Sequence, residues 1–245
     1  MPMADDLAQP RLILWDIDHT LIETRGLGSQ LARAAFAQIT GQHFDELAEA
    51  TGKTEPVIVA ETLRLHGIEP TESHQQQYAQ ALPEQYRRHA NQLRARGREL
   101  PGAREALDAL AKIPGVVQTV LTGNYRAVAA VKLDTFDLNQ HIDLDIGAYA
   151  EDGTDRATIV PVAQRRASTK YHHQFSHNNT IIIGDTTHDI AAAHHGGAAI
   201  VAVATGRDSA NDLRNAGAEI VLADLTNPAG LISAIFEAIG LQLRS

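Results

Sequence analysis

Arg11-Leu-Ile-Leu-Trp-Asp16-Ile-Asp18-His-Thr20-Leu-Ile22 is a short apolar run that ends abruptly in two carboxylates and a threonine. Such a run, bounded by polar residues, reads as a strand buried on both faces, and strands of that kind belong to parallel sheets. Asp16 and Asp18 then fall at its C-terminal end, the edge where open α/β sheets bind ligands. Two positions apart in extended chain, they start out on the same side. Asp-x-Asp alone also fits an Asp-rich turn, but two carboxylates with no neutralising neighbour are better explained by chemistry than by folding.

Outward from this strand the pattern changes twice. From about Arg25 to Arg98 no strand is evident: Leu31, Ala35, Phe36 and Ile39, then Val57, Ile58, Thr62, Leu63 and Leu65, recur at helical spacing. After Pro101-Gly102 the chain alternates. Helices are expected over 103–112, 125–133, 157–171, 190–195, 209–216 and 228–239, and strands over 116–121, 144–149, 180–183, 199–203 and 219–222. Strands alternating with helices at this spacing give βαβ units and a parallel sheet covered on both faces. The fold class is therefore α/β, a Rossmann-like parallel sheet core, with residues 1–22 and 99–245 forming that core and residues 23–98 an inserted helical domain.

Composition narrows the function. The 245 residues carry a formal net charge of −9, which argues against a nucleic-acid or anionic membrane surface as partner. An anionic small substrate would need a local island of positive charge. The chain has no cysteine, so it holds no disulfide framework. Met1 to Gln9 is acidic and lacks the pattern of a secretory signal, and the apolar runs are too short to span a bilayer. A cytoplasmic protein is the expectation.

Two further strand ends carry chemistry. Val116-Val-Gln-Thr-Val-Leu121 leads into Thr122-Gly123-Asn124, a hydroxyl and backbone amides at a helix start, which is either a phosphate seat or simply a cap and turn. Thr180-Ile-Ile-Ile183 leads into Gly184-Asp185-Thr-Thr-His-Asp189. Four acids gathered at two strand ends repel one another unless a positive charge lies between them. A hard divalent cation with oxygen ligands answers that need, and Mg²⁺ suits carboxylates that share a site with a phosphate.

Taken in order, Asp16-x-Asp18-x-Thr20, Thr122 after a hydrophobic strand, and Gly184-Asp185-x-x-x-Asp189 resemble the signature motifs of the haloacid dehalogenase superfamily. The insertion at 23–98 is similar to that family's helical C1 cap. Leu121-Thr122-Gly123-Asn124, with Thr51-Gly52-Lys53-Thr54 in the insertion, looks most like the phosphoglycolate phosphatase-like hydrolases. The resemblance implies a phosphatase acting on a small phosphorylated metabolite, phosphoglycolate-like or a sugar phosphate, through an aspartyl-phosphate. Asp16 would be the nucleophile and Asp18 the general acid and base, which requires its protonated form near neutral pH. Mg²⁺ would be held by Asp16, the Asp18 carbonyl and Asp185, with Asp189 in support. Thr122, Thr20, Gly123 and Asn124 would hold the phosphoryl group or its surroundings.

The family's usual lysine between the second and third acidic clusters has no match. Arg156, opening a helix in Asp155-Arg156-Ala-Thr-Ile-Val-Pro161, is the expected replacement, with Lys170 at the far end of that helix as the alternative. Guanidinium preserves the charge but changes the geometry. Lys53 is a candidate for the non-reacting end of the substrate, and His19 stands where many relatives have glycine. A dehalogenase is disfavoured by the second acid, Asp18. A phosphosugar mutase remains the alternative on the same core, and a phosphate-binding regulator without catalysis a more remote one.

Overall fold

Every residue of β1 (Arg11–Trp15) is buried, and its alternation divides the interior. Ile13 and Trp15 join the apolar cluster on one face of the sheet, Leu12 and Leu14 the cluster on the other. The computed structural model describes residues 9–240. Met1 to Ala8, which make up nearly all of the acidic N-terminal stretch, and the last five positions of the expected core lie outside the described residues.

β1 is central. It pairs in parallel with β4 (Val116–Val120) and β5 (Thr180–Gly184), and β6 (Ala199–Val203) and β7 (Val221–Leu222) continue the five-stranded parallel sheet in the order β4-β1-β5-β6-β7. The helices around it are α5 (Ala103–Ala111), α6 (Arg126–Thr135), α7 (Arg156–Tyr171), α8 (Thr187–Gly196), α9 (Ala210–Asn215) and α10 (Pro228–Ala238). Leu107, Val128 and Leu231, from α5, α6 and α10, bury in the cluster with Ile13 and Trp15, whereas Ile159 and Ile190, from α7 and α8, bury in the other. Because the chain moves from β1 first to β4 and only later to β5, the ends of β4, β1 and β5 frame the crevice where an open sheet places its ligand.

The segment at 144–149 is a correction. It runs beside β4, with Asp143 and Ala148 donating to the carbonyls of Gln118 and Val120, but it forms only the isolated bridge Leu121–Ala148. Local side chains compete for the backbone there: Asp143 accepts from the Asp145 N–H, and Asp152 from the Tyr149 N–H.

Between β1 and β4 the chain leaves the sheet through β2 (Ile22–Glu23) and returns through β3 (Arg98–Glu99), which pair antiparallel. The segment between them holds α1 (Leu27–Thr40), α2 (Glu55–Leu65), α3 (Glu72–Arg88) and α4 (Ala90–Arg96). Residues 41–54 lack helix, and their glycines allow them to approach the core closely. A Cβ on Gly123 would collide with the Lys53 carbonyl, and one on Gly52 with the His188 ring. The Glu55 N–H donates to Gly123 at 2.9 Å, so this loop and the Thr122 turn are in direct contact. No described helix is long and apolar enough to cross a membrane.

Candidate active site

Asp16 follows directly on β1, its N–H bound to the Ile183 carbonyl of β5 at 2.9 Å, which sets the first acid against the end of the neighbouring strand. Asp185 follows β5. Thr186 then caps α8, accepting from the Asp189 N–H while the Asp189 carboxylate takes the Thr186 hydroxyl at 2.6 Å. This reciprocal cap aims Asp189 back toward the sheet. Carboxylate oxygens of Asp16, Asp185 and Asp189 all lie within 4.8 Å of one another, and all three residues are buried.

Arg156 supplies the positive charge among them. Asp155 caps α7 by accepting from Ala157, which makes Arg156 the first helical residue. Its guanidinium bonds Asp16 through Nη2 and Asp189 through Nη1, the latter at 2.5 Å, and its buried Nε has no partner among the described residues. Lys170 instead pairs with Asp143 and Asp145.

One guanidinium does not balance three buried carboxylates. Burial pushes the Asp16 carboxyl up to about 7 against the pull of Arg156, with Asp189 and Asp18 adding to the rise. Burial and the neighbouring Asp16 and Asp189 push Asp185 up to about 9. A buried set of oxygen donors short of positive charge fits a hard divalent cation. Thr20, expected at the substrate, has its hydroxyl on Asp185 at 3.0 Å, where it orients a member of this cluster.

Asp18 faces the other way. Its carboxylate receives Lys132 Nζ at 2.8 and 2.6 Å and Asn124 Nδ2 at 2.8 Å, while Lys132 also donates to Asn124 Oδ1 at 2.8 Å. Burial raises the Asp18 pKa, but Lys132 and the Asn124 hydrogen bond outweigh it and hold the group below its ordinary value. Asn124 also binds Thr122 Oγ1, through both its side-chain and backbone N–H groups. With those bonds accepted, the Thr122 hydroxyl keeps its own proton to donate. The reading of the sequence missed Lys132, although a signal was present: it lies in the buried stripe of α6 with Val128, Ala129 and Leu133, where a solvated lysine has no place.

His19 adopts a left-handed backbone, φ 64°, in the turn after Asp18, a conformation open to glycine without steric cost. Lys53 lines the cavity, but its Nζ lies 2.6 Å from Glu61. That cavity, about 570 Å³, opens between the strand ends and the helices of the insertion, with Asp16, Asp18, Thr122, Arg156 and Asp185 at one end and Glu55, Tyr78 and Tyr86 also in its wall.

Glu55 has a measurable consequence for stability. Burial, aided by Asp18 and opposed by Lys132, raises its pKa to about 7. A carboxyl raised on folding favours the native state when protonated, so its contribution is fully present below about pH 4.5 and is lost as pH rises toward 7. In EDTA, Glu55→Gln is expected to stabilise the protein by about 1–3 kcal/mol at pH 8 and by almost nothing at pH 4. Thermal melts at the two pH values test this; an equal effect at both would overturn it.

The family model for haloacid dehalogenase-like hydrolases matches residues 13–203. Among solved structures, a candidate beta-phosphoglucomutase from Bacteroides vulgatus is 17% identical with a TM-score of 0.64, covering 95% of this chain and 91% of that one. A hydrolase from Pseudomonas syringae is 20% identical and a predicted phosphoglycolate phosphatase from Haemophilus somnus 18% identical. Each has a TM-score of 0.64 and covers 91% of this chain and 98% of its own. The comparison with curated proteins returns no match. These structures share the fold, and the model's match from β1 through β6 spans the strand ends that carry Asp16, Thr122 and Asp185: the chain belongs to the haloacid dehalogenase-like hydrolases.

Proposed function

We propose that the protein is a Mg²⁺-dependent phosphatase that hydrolyses a small phosphate monoester through an aspartyl-phosphate, with residues 23–98 acting as a cap over the site. The observation that carries this reading is the cluster of Asp16, Asp185 and Asp189, with Arg156 bonded to the first and the last, at one end of a cavity that Thr122 and Asp18 also line. A small phosphorylated metabolite as partner and a cytoplasmic location belong to the same reading.

Asp16, Asp185 and Asp189 would hold the cation, together with the Asp18 carbonyl. When bound, it neutralises the approach of an anionic ester to an anionic nucleophile and polarises the phosphoryl group. Asp16 attacks phosphorus and forms the acyl phosphate as the alcohol leaves. Arg156 orients the nucleophile and has Nε free for a phosphoryl oxygen, and the Thr122 hydroxyl donates to another. Asp18 differs from expectation in its resting charge. Lys132 keeps it ionised, so it stands ready as the base that deprotonates the hydrolytic water. The departing alkoxide, a stronger base than either group, takes a proton that Lys132 Nζ passes through the Asp18 carboxylate, and the proton that Asp18 later removes from the hydrolytic water restores the ammonium.

Phosphate release from a panel of small esters, with Mg²⁺ and with EDTA, tests this reading. Metal-dependent release is expected. Absence of release from every ester, with Mg²⁺ still bound, would overturn hydrolysis and leave phosphoryl transfer between sugars as the function of the same groups.

A further inference from the structure

The wall of the cavity away from the acidic cluster is polar but short of available cations. Tyr78, on α3, is completely buried and lines the cavity, yet its hydroxyl has no hydrogen-bond partner among the described residues. Glu55, at the start of α2, lines the same space without a hydrogen bond to its carboxyl; its electrostatic surroundings are Lys132 and Asp18. Glu55 is also the largest charge influence on the Tyr78 hydroxyl, and both residues line the same cavity. An unsatisfied buried hydroxyl is costly, and in a cavity wall it marks a place where a ligand completes the bonding.

Most of the lysines and arginines lining the cavity are paired with carboxylates. Lys132 has three protons and directs them to Asp18 Oδ1, Asp18 Oδ2 and Asn124 Oδ1. Lys53 is paired with Glu61, and Arg207 with Glu49. Arg33 donates to the Asp45 carbonyl, and Arg156 belongs to the phosphoryl end. A carboxylate on the leaving group beside Glu55 would therefore meet a second carboxyl where the cation that acts on Glu55, Lys132, is already committed to Asp18. A hydroxyl can donate to Glu55 and accept from Tyr78.

We infer that Glu55 and Tyr78 form the leaving-group subsite and select a neutral, hydroxyl-bearing alcohol, so that the substrates are polyol or sugar phosphates and not phosphorylated carboxylic acids. The inference rests on the phosphatase reading and decides between the two substrate types that the sequence left open. Its energetic basis is that a second carboxylate brought beside Glu55 in a partly dry pocket is disfavoured, whereas a paired hydroxyl costs little.

Glycerol 3-phosphate and 3-phosphoglycerate make a matched test, since they share a skeleton and differ in a hydroxymethyl group against a carboxylate. With Mg²⁺, kcat/KM is expected to favour glycerol 3-phosphate by at least ~10-fold. Glu55→Gln should narrow that ratio and Glu55→Lys reverse it, while Tyr78→Phe should lower kcat/KM for glycerol 3-phosphate more than for 3-phosphoglycerate. Preference of the unaltered protein for 3-phosphoglycerate, or a ratio unmoved by all three substitutions, would overturn the inference. p-Nitrophenyl phosphate separates the two levels. Its metal-dependent hydrolysis without discrimination between the matched esters rejects the subsite and keeps the phosphatase, and no hydrolysis of any ester rejects both.

Discussion

Asp16→Asn is expected to lower metal-dependent phosphate release by at least ~10³-fold, because the amide is a poor nucleophile and the other carboxylates of the site, Asp18, Asp185 and Asp189, are held by Lys132, Thr20 and Arg156. The same substitution should not weaken the fold. Asp16 is buried and its carboxyl is raised to about 7, so in the metal-free protein its ionisation opposes folding. A carboxyl shifted upward contributes fully below its unfolded value near 3.8 and loses that contribution as pH rises toward 7. At pH 8 in EDTA, Asp16→Asn should therefore melt above the unaltered protein, even though one bond from Arg156 becomes a weaker bond to an amide. Arg156 retains Asp189 at 2.5 Å. Adding Mg²⁺ should raise the melting temperature of the unaltered protein more than that of the variant, since the variant lacks one anionic ligand. Two measurements thus read one residue, activity for its chemistry and the metal-dependent melt for its place in the cluster. Appreciable turnover by a pure, folded Asp16→Asn protein would refute the nucleophile assignment.

What the sequence revealed, and what it hid, follows from where each side chain makes its bonds. Asp16, Thr122 and Asp185 stand at the ends of apolar strands, so a polar residue there is conspicuous and its position on the sheet edge follows from strand order, and Asp189 follows in the first turn of the next helix. Arg156 was legible because it opens a helix between the second and third acidic clusters, where the resembled family has its lysine. Lys132 was not singled out, because its partner lies 114 positions away and a lysine within a helix reads as solvent-facing unless its place in the apolar stripe is weighed. That omission also misled the reading of Asp18: without the ammonium, a protonated acid near neutrality was a reasonable expectation. Thr20 and Lys53 have the expected residue types in the expected region, but Asp185 and Glu61 engage them. A long-range pairing of this kind leaves no local pattern. The break at 144–149 is the reverse case, in which apolar residues suggest a strand and nearby aspartates take the backbone N–H groups that a ladder would need.

Arg156→Met carries the largest expected cost to the fold. Removing one partner of a buried ion pair leaves uncompensated charge, and here two carboxylates lose the same partner at once. The metal-free protein should lose about 3–5 kcal/mol, read from urea unfolding at pH 8 in EDTA. The pH dependence has a definite sign. Without the guanidinium, the Asp16 carboxyl binds its proton more tightly in the folded state than it does beside Arg156, so the deficit should shrink as pH falls and that group becomes neutral. Mg²⁺ should recover part of the loss, because a divalent cation meets the same need for positive charge. Activity should not recover in step, since the cation cannot replace the guanidinium bonds that orient Asp16. Arg156→Lys separates charge from geometry. A single ammonium restores charge but cannot reproduce the planar fork that spans Asp16 and Asp189, so stability should return further than kcat. If Arg156→Met unfolds at the same urea concentration as the unaltered protein at pH 8, Arg156 is not the counter-ion of the cluster, and the charge balance of this site must come from another source.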